Sequence, residues 1–165
     1  MPSIQRIAPC LWFDDQAEQA ADFYLSVFPN SKITQVARYG EAGREFHGKA
    51  PGSVMTVAFE LDGQAFTALN GGPVFRFNEA ISLQVYCQSQ DEVDHYWDRL
   101  SAGGDPRAQQ CGWLKDRYGV SWQIVPSALS AMLADGDSGR SQRVMAALLR
   151  MHKLDIAALQ RAYAG

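Results

Sequence analysis

Apolar positions switch between strand period and helix period along the chain, and each switch marks an element. Ile7 to Phe13 is short and rich in apolar residues, the pattern of a strand. Asp14-Asp15 follows, and either aspartate can cap a helix beginning there. In that helix Ala17, Ala20, Ala21, Tyr24, Leu25 and Phe28 form one stripe at helical period, and Pro29-Asn30 stops it. Ser31 to Tyr39 reads as a strand and Gly40 to Gly52 as a loop rich in glycine and charge. Val54 to Leu61 and Gln64 to Asn70 are apolar runs separated by Asp62-Gly63 alone. That link predicts a hairpin, because both turn residues must take positive φ. The first stretch therefore reads β-α-β-β-β.

The pattern then returns. Ile81 to Cys87 alternates like a strand, and Ser89 with Glu92 forms a capping box. Val93, Tyr96, Trp97 and Leu100 make a helical stripe, which Gly103-Gly104 and Pro106 end. Gln109 to Lys115 and Ser121 to Val125 read as strands joined by the turn Asp116-Arg117-Tyr118-Gly119, taken as solvated. One supersecondary unit is thus used twice, the second time with a strand hidden or displaced. Beyond Pro126 the pattern is helical: Leu129, Met132 and Leu133; then Val144, Ala147, Leu148 and Met151; then Ile156, Leu159 and Tyr163, with Asp155 as cap. These helices need a surface to cover, on their own sheet or on a partner subunit.

Composition narrows the classes. A chain of 165 residues with 47% hydrophobic and 20% charged residues can bury a real core. Its net charge of -3, with the basic residues scattered, argues against nucleic acid as a partner. No apolar run approaches the roughly 20 residues that cross a bilayer, and the start lacks a signal-like segment, so no membrane partner and a cytoplasmic location are expected. Cys10, Cys87 and Cys111 have no CxxC spacing and read as reduced thiols.

Several segments together resemble the PhnB-like branch of the vicinal oxygen chelate superfamily, which includes glyoxalases, bleomycin-resistance proteins and extradiol dioxygenases. They are Pro9 to Phe13, Phe23 to Asn30, Leu69 to Pro73, Glu79 to Val85, Cys111 to Asp116 and Gly119 to Pro126. Members of this branch are often labelled 3-demethylubiquinone-9 3-methyltransferase. The resemblance implies an α+β fold of two paired βαβββ modules forming curved mixed sheets, followed by C-terminal helices. The paired domain would span 1–126, in halves of about 4–72 and 79–126. Residues 127–165 would form the helical extension. A homodimer with a small-molecule ligand is also implied.

Metal-dependent members of the superfamily draw ligands from four strands. Carried onto this chain, the positions fall on Pro9, Phe66, Ser82 and Gln123, of which only Gln123 is a plausible donor. His47, His95 and His152 lie elsewhere, so no metal and no other cofactor is expected. If the sheets curve as the resemblance implies, Phe66, Ala68, Asn70, Ser82, Gln84, Tyr86, Ser121 and Gln123 point inward, with Trp113 as a pocket wall. The ligand pocket is accordingly placed at Phe66, Asn70, Ser82, Gln84, Trp113 and Gln123, a lining suited to a neutral or weakly polar molecule. Cys111, with Lys115 on the same strand face, is a candidate nucleophile weighed against a simple buried thiol. Asn70-Gly71-Gly72-Pro73 leads into an extended arm instead of a helix, so it reads as structure or pocket rim and not as a phosphate loop.

Three functions stay open on these residues: a metal-free binding protein, a metal-dependent isomerase, lyase or dioxygenase, and a methyltransferase as the label says. The last requires alternating βα units, and hairpins stand in their place.

Overall fold

The small residues on one side of the first predicted helix let a helix lie close on a sheet, and the computed structural model, which describes residues 4–165, places it there. The chain divides into two units, one ending at Phe77 and the other beginning at Asn78.

The first unit runs β1 (Cys10–Phe13), α1 (Ala17–Val27), β2 (Lys32–Arg38), α2 (Arg44–His47), β3 (Val54–Leu61) and β4 (Gln64–Asn70). The sheet order is β1-β4-β3-β2, with β1 parallel to β4 and the remaining pairs antiparallel. Asp62 and Gly63 take φ of 47° and 79°, the left-handed pair that an Asp-Gly hairpin requires. Ala17, Ala20, Ala21, Tyr24 and Val27 of α1 are buried, as are Leu11, Phe13, Val57, Phe59, Leu61 and Ala68 on the sheet. Strand β1 is shorter than the predicted Ile7 to Phe13. Pro9 has no N–H to continue the ladder; its carbonyl accepts from Thr67 N at 2.9 Å. Just upstream, the Gln5 side chain bonds Ala65 instead, donating to its carbonyl and accepting from its N–H.

The second unit runs β5 (Leu83–Cys87), α3 (Gln90–Ser101), a 3₁₀ turn (Pro106–Ala108), β6 (Trp113–Lys115), β7 (Ser121–Pro126), α4 (Leu129–Leu133), α5 (Ser138–Leu148) and α6 (Ile156–Ala164). Its order is β5-β7-β6, with β5 parallel to β7 and β6 antiparallel to it. This repeats β1-β4-β3, and the described residues contain no counterpart of β2. In its place the segment after α3 crosses beside β6. Gly104 lies so near that a Cβ there would stand 2.0 Å from the Lys115 carbonyl oxygen.

The predicted strand Gln109 to Lys115 shrinks to Trp113–Lys115. Cys111 and Gly112 take φ of 53° and 84°, and Gln110 and Trp113 exchange backbone hydrogen bonds of 3.1 and 2.8 Å across them. This tight turn ends the strand pattern before it reaches Gln109.

At α3 the predicted box forms in part: Ser89 Oγ accepts from Glu92 N at 3.2 Å, whereas the Glu92 carboxylate reaches past the Ser89 N–H and accepts from Gln88 N at 2.6 Å. Asp137 and Asp155 cap α5 and α6. The C-terminal helices gather their own core of Leu129, Val144, Leu148, Leu154 and Leu159. They are tied to their own chain: Gln90 on α3 donates to Leu154 O and accepts from Ile156 N, and Lys153 pairs with Asp94 and Asp98 at 3.2 Å. Among the described residues no helix is long and apolar enough to cross a membrane.

Candidate functional site

Strand alternation gives the second sheet two faces. One carries Leu114, Trp122, Ile124 and Cys87, all buried, and α3 packs on this sheet. The other carries Gln84 and Tyr86 from β5, Ser121 and Gln123 from β7, and Trp113 and Lys115 from β6. Gln84 sits directly across from Gln123, and Gln123 across from Trp113. Such lateral neighbours on one face interact.

They do so through a row of hydrogen bonds. Tyr86 Oη donates to Gln84 Oε1 at 3.1 Å, Gln84 Nε2 donates to Gln123 Oε1 at 3.5 Å, and Gln123 Nε2 donates to Ser82 Oγ at 2.8 Å. Each amide keeps unused donor or acceptor capacity. Ser121, 2% exposed, holds a hydroxyl with no hydrogen-bond partner. Lys115 pairs with Glu79, whose carboxyl the ammonium holds below the usual range through a hydrogen bond and charge attraction. This face offers hydroxyls, amides and an indole, and it carries no free carboxylate poised as a base.

The sequence-predicted pocket residues divide between faces. Ser82, Gln84, Trp113 and Gln123 come together on this face of the second unit. Phe66 and Asn70 belong to the first unit and lie with Ala68 on the face that α1 covers. Phe66 stacks on Phe59, which stacks on Tyr24 of α1. The Asn70 amide is spent inside the core: Oδ1 accepts from Ala17 N at 2.8 Å, and Nδ2 donates to Val54 O at 3.1 Å. Asn70 is thus the cap of α1, and neither Asp14 nor Asp15 takes that role.

Cys111 is half-buried in the left-handed turn, its N–H bonded to Met151 O at 2.8 Å. The reversal at Cys111-Gly112 removes the strand face it was expected to share with Lys115 and Trp113. Lys115 is committed to Glu79 instead.

Asp116 also departs from expectation. The turn is not simply solvated, since Asp116 is 2% exposed. Its Oδ1 accepts from Tyr118 N and Val120 N, and Oδ2 accepts from Trp122 Nε1 at 2.9 Å. An indole N–H six residues beyond an aspartate turn was the available signal. Likewise the arm after Gly72 folds back on β1: Trp12 Nε1 donates to Gly72 O at 2.8 Å, and the Trp12 ring meets Phe75 edge-on at 4.9 Å.

The four superfamily metal positions do not fit a cation. Pro9 and Phe66 have no donor, Phe66 faces the α1 side, and Ser82 and Gln123 bond one another. Among the described residues no three His, Cys, Asp or Glu side chains gather to hold a metal.

Residues 5–125 match the family described as 3-demethylubiquinone-9 3-methyltransferase. A solved Bacillus cereus structure, titled as a 3-demethylubiquinone-9 3-methyltransferase and PhnB protein, is 34% identical. The alignment covers 74% of this chain and 100% of that chain, with a TM-score of 0.63. A Pseudomonas aeruginosa protein aligns at 20% identity over 75% of this chain and 98% of that one, with a TM-score of 0.57. The fosfomycin resistance protein FosX of Mesorhizobium loti aligns at 15% identity over 81% of this chain and 100% of that one, with a TM-score of 0.53. The last two speak for the fold alone. No curated protein matches the chain.

Proposed function

The chain belongs to the 3-demethylubiquinone-9 3-methyltransferase family, the PhnB-like branch of the vicinal oxygen chelate fold, and from that premise we propose that it binds a small, neutral or weakly polar molecule without a bound metal. The ligand lies against the second sheet. Trp113 supplies a flat apolar wall, and Gln84, Gln123 and Ser82 supply paired donors and acceptors. The observation that carries this reading is the row Tyr86-Gln84-Gln123-Ser82, whose members fix one another's orientation and leave hydrogen-bonding capacity facing away from the core. In this reading the protein works as a homodimer, a state that the exposed edge strand β2, with Ile33 and Val36 on its surface, is suited to support.

Methyl transfer, the activity in the family description, finds no support in these sheets. Neither contains the run of parallel βα units with a glycine-rich loop that holds the usual methyl donor. A thermal-shift screen of uncharged aromatic amides and hydroxylated aromatics tests the proposal, with S-adenosylmethionine as a comparison arm. Hits should bind Gln123→Leu and Trp113→Leu about tenfold more weakly, since an amide bond and a stacking surface are each removed. Hits that bind both variants as well as the parent, or a rise in Tm with S-adenosylmethionine alone, would overturn it.

A further inference from the structure

Within the first unit a separate cleft of about 320 Å³ is lined by Asp15, Glu18, Arg38, Lys49, Ser53, Val54 and Asn70. Its floor is built and closed. Asn70 is held between α1 and β3, and Val54 is 7% exposed. Its rim brings together charges of both signs. Arg38 comes from the end of β2 and Lys49 from the loop before β3, whereas Asp15 and Glu18 flank the start of α1.

These charges do not neutralise one another. Among the described residues, Arg38 and Lys49 have no carboxylate within 4.0 Å, and Asp15 and Glu18 have no cationic partner within that range. Arg38 donates to Gly52 O at 3.0 Å and Lys49 to Asp14 O at 3.5 Å, which anchors both heads with donors to spare. Backbone anchoring also lowers the entropy a ligand would otherwise spend on ordering them. The volume is at the small end of ligand sites.

Opposite charges that surround one cleft without pairing are complementary to a molecule that carries both. We infer that this cleft binds a small zwitterion, its carboxylate held by Arg38 and Lys49 and its primary ammonium by Asp15 and Glu18. The site is independent of the second-sheet face and can fail or succeed separately from it.

The test is titration calorimetry at low salt with 4-aminobutyrate, with butyrate and butylamine as probes that carry one charge each. The zwitterion should bind, and each single-charge probe should bind at least about tenfold more weakly. Arg38→Gln and Glu18→Gln should each weaken 4-aminobutyrate by about tenfold and leave circular dichroism and Tm unchanged, since both side chains are exposed. Gln123→Leu should bind it as the parent does. No heat at about 10 mM 4-aminobutyrate, or equal binding of butyrate and 4-aminobutyrate, would overturn the inference.

Discussion

The two units share a plan, in which a parallel strand pair is extended by an antiparallel strand and covered by a helix, but they fasten it by different means. In the first unit the helix start is held from far away. Asn70, 53 residues on from Ala17, caps α1 and bonds back to β3. In the second unit the helix start is held locally by Ser89 and Glu92. There the buried polar anchor is also local and sits at the far end of the sheet, where Asp116 ties the β6–β7 turn to the Trp122 indole six residues on. The second unit lacks the strand that would flank β6, so the turn of its shortened sheet depends on this one buried carboxylate. A duplicated topology therefore does not imply duplicated joints, and each joint can be broken separately.

The largest effect is expected at Asp116. Asp116→Ala leaves two backbone N–H groups and an indole N–H without their acceptor and should cost about 4 kcal/mol. Asp116→Asn, which keeps one acceptor oxygen, should cost less. Urea denaturation checks this, with a lower midpoint at unchanged slope. Asn70→Ala is next, at about 2–3 kcal/mol, for one lost cap and one buried carbonyl left unpaired. Should Asn70→Ala prove the costlier of the two, the long-range joint is the heavier one and the comparison reverses.

The two close-packed glycines sharpen the contrast. A Cβ on Gly104 would meet the Lys115 backbone at 2.0 Å, and one on Gly71 would meet the Trp12 ring at 2.3 Å. Backbone cannot step aside, whereas a ring can turn at some cost in packing. Gly104→Ala should therefore lose about 2 kcal/mol and Gly71→Ala about 1 kcal/mol. Equal losses in parallel urea titrations would mean that the segment standing where β2 has its counterpart is no more rigid than the folded arm.

What could be read from the sequence follows the same division. Local signals were legible: the α1 stripe, the Asp62-Gly63 hairpin, the Ser89 box and the Asp155 cap each involve residues within a few positions. The Asn70 cap was not, because its partner is remote and Asp14-Asp15 offered a nearer candidate. Cys111-Gly112 looked like strand because only backbone φ separates a turn from an apolar run. Four of the six expected pocket residues, Ser82, Gln84, Trp113 and Gln123, could be read by period-two counting once β5, β6 and β7 were placed. The same counting on β4 set Phe66 and Asn70 inward. Either parity suits a strand with apolar residues on both faces, and it is the side on which α1 lies that decides.

Native thiols offer a last separation of the units, with no expected cost in stability. Cys10 is exposed on β1, and partial burial raises its pKa. Cys87 ends β5 at 1% exposure, its thiol pushed up to about 12 by burial and by the nearby Glu92 charge. Because the thiolate is the reacting form, only about one Cys87 in ten thousand is competent at pH 8 even before access is considered. In a Cys111→Ser background, a disulfide reagent should label Cys10 in the folded protein and leave Cys87 until its unit opens. Asp116→Ala should speed Cys87 labelling, and Asn70→Ala should not, if the units open separately. Mass spectrometry of the two labelled peptides over time decides it. Equal acceleration of Cys87 by both substitutions would mean that the units unfold as one, and that the two joints share a single load.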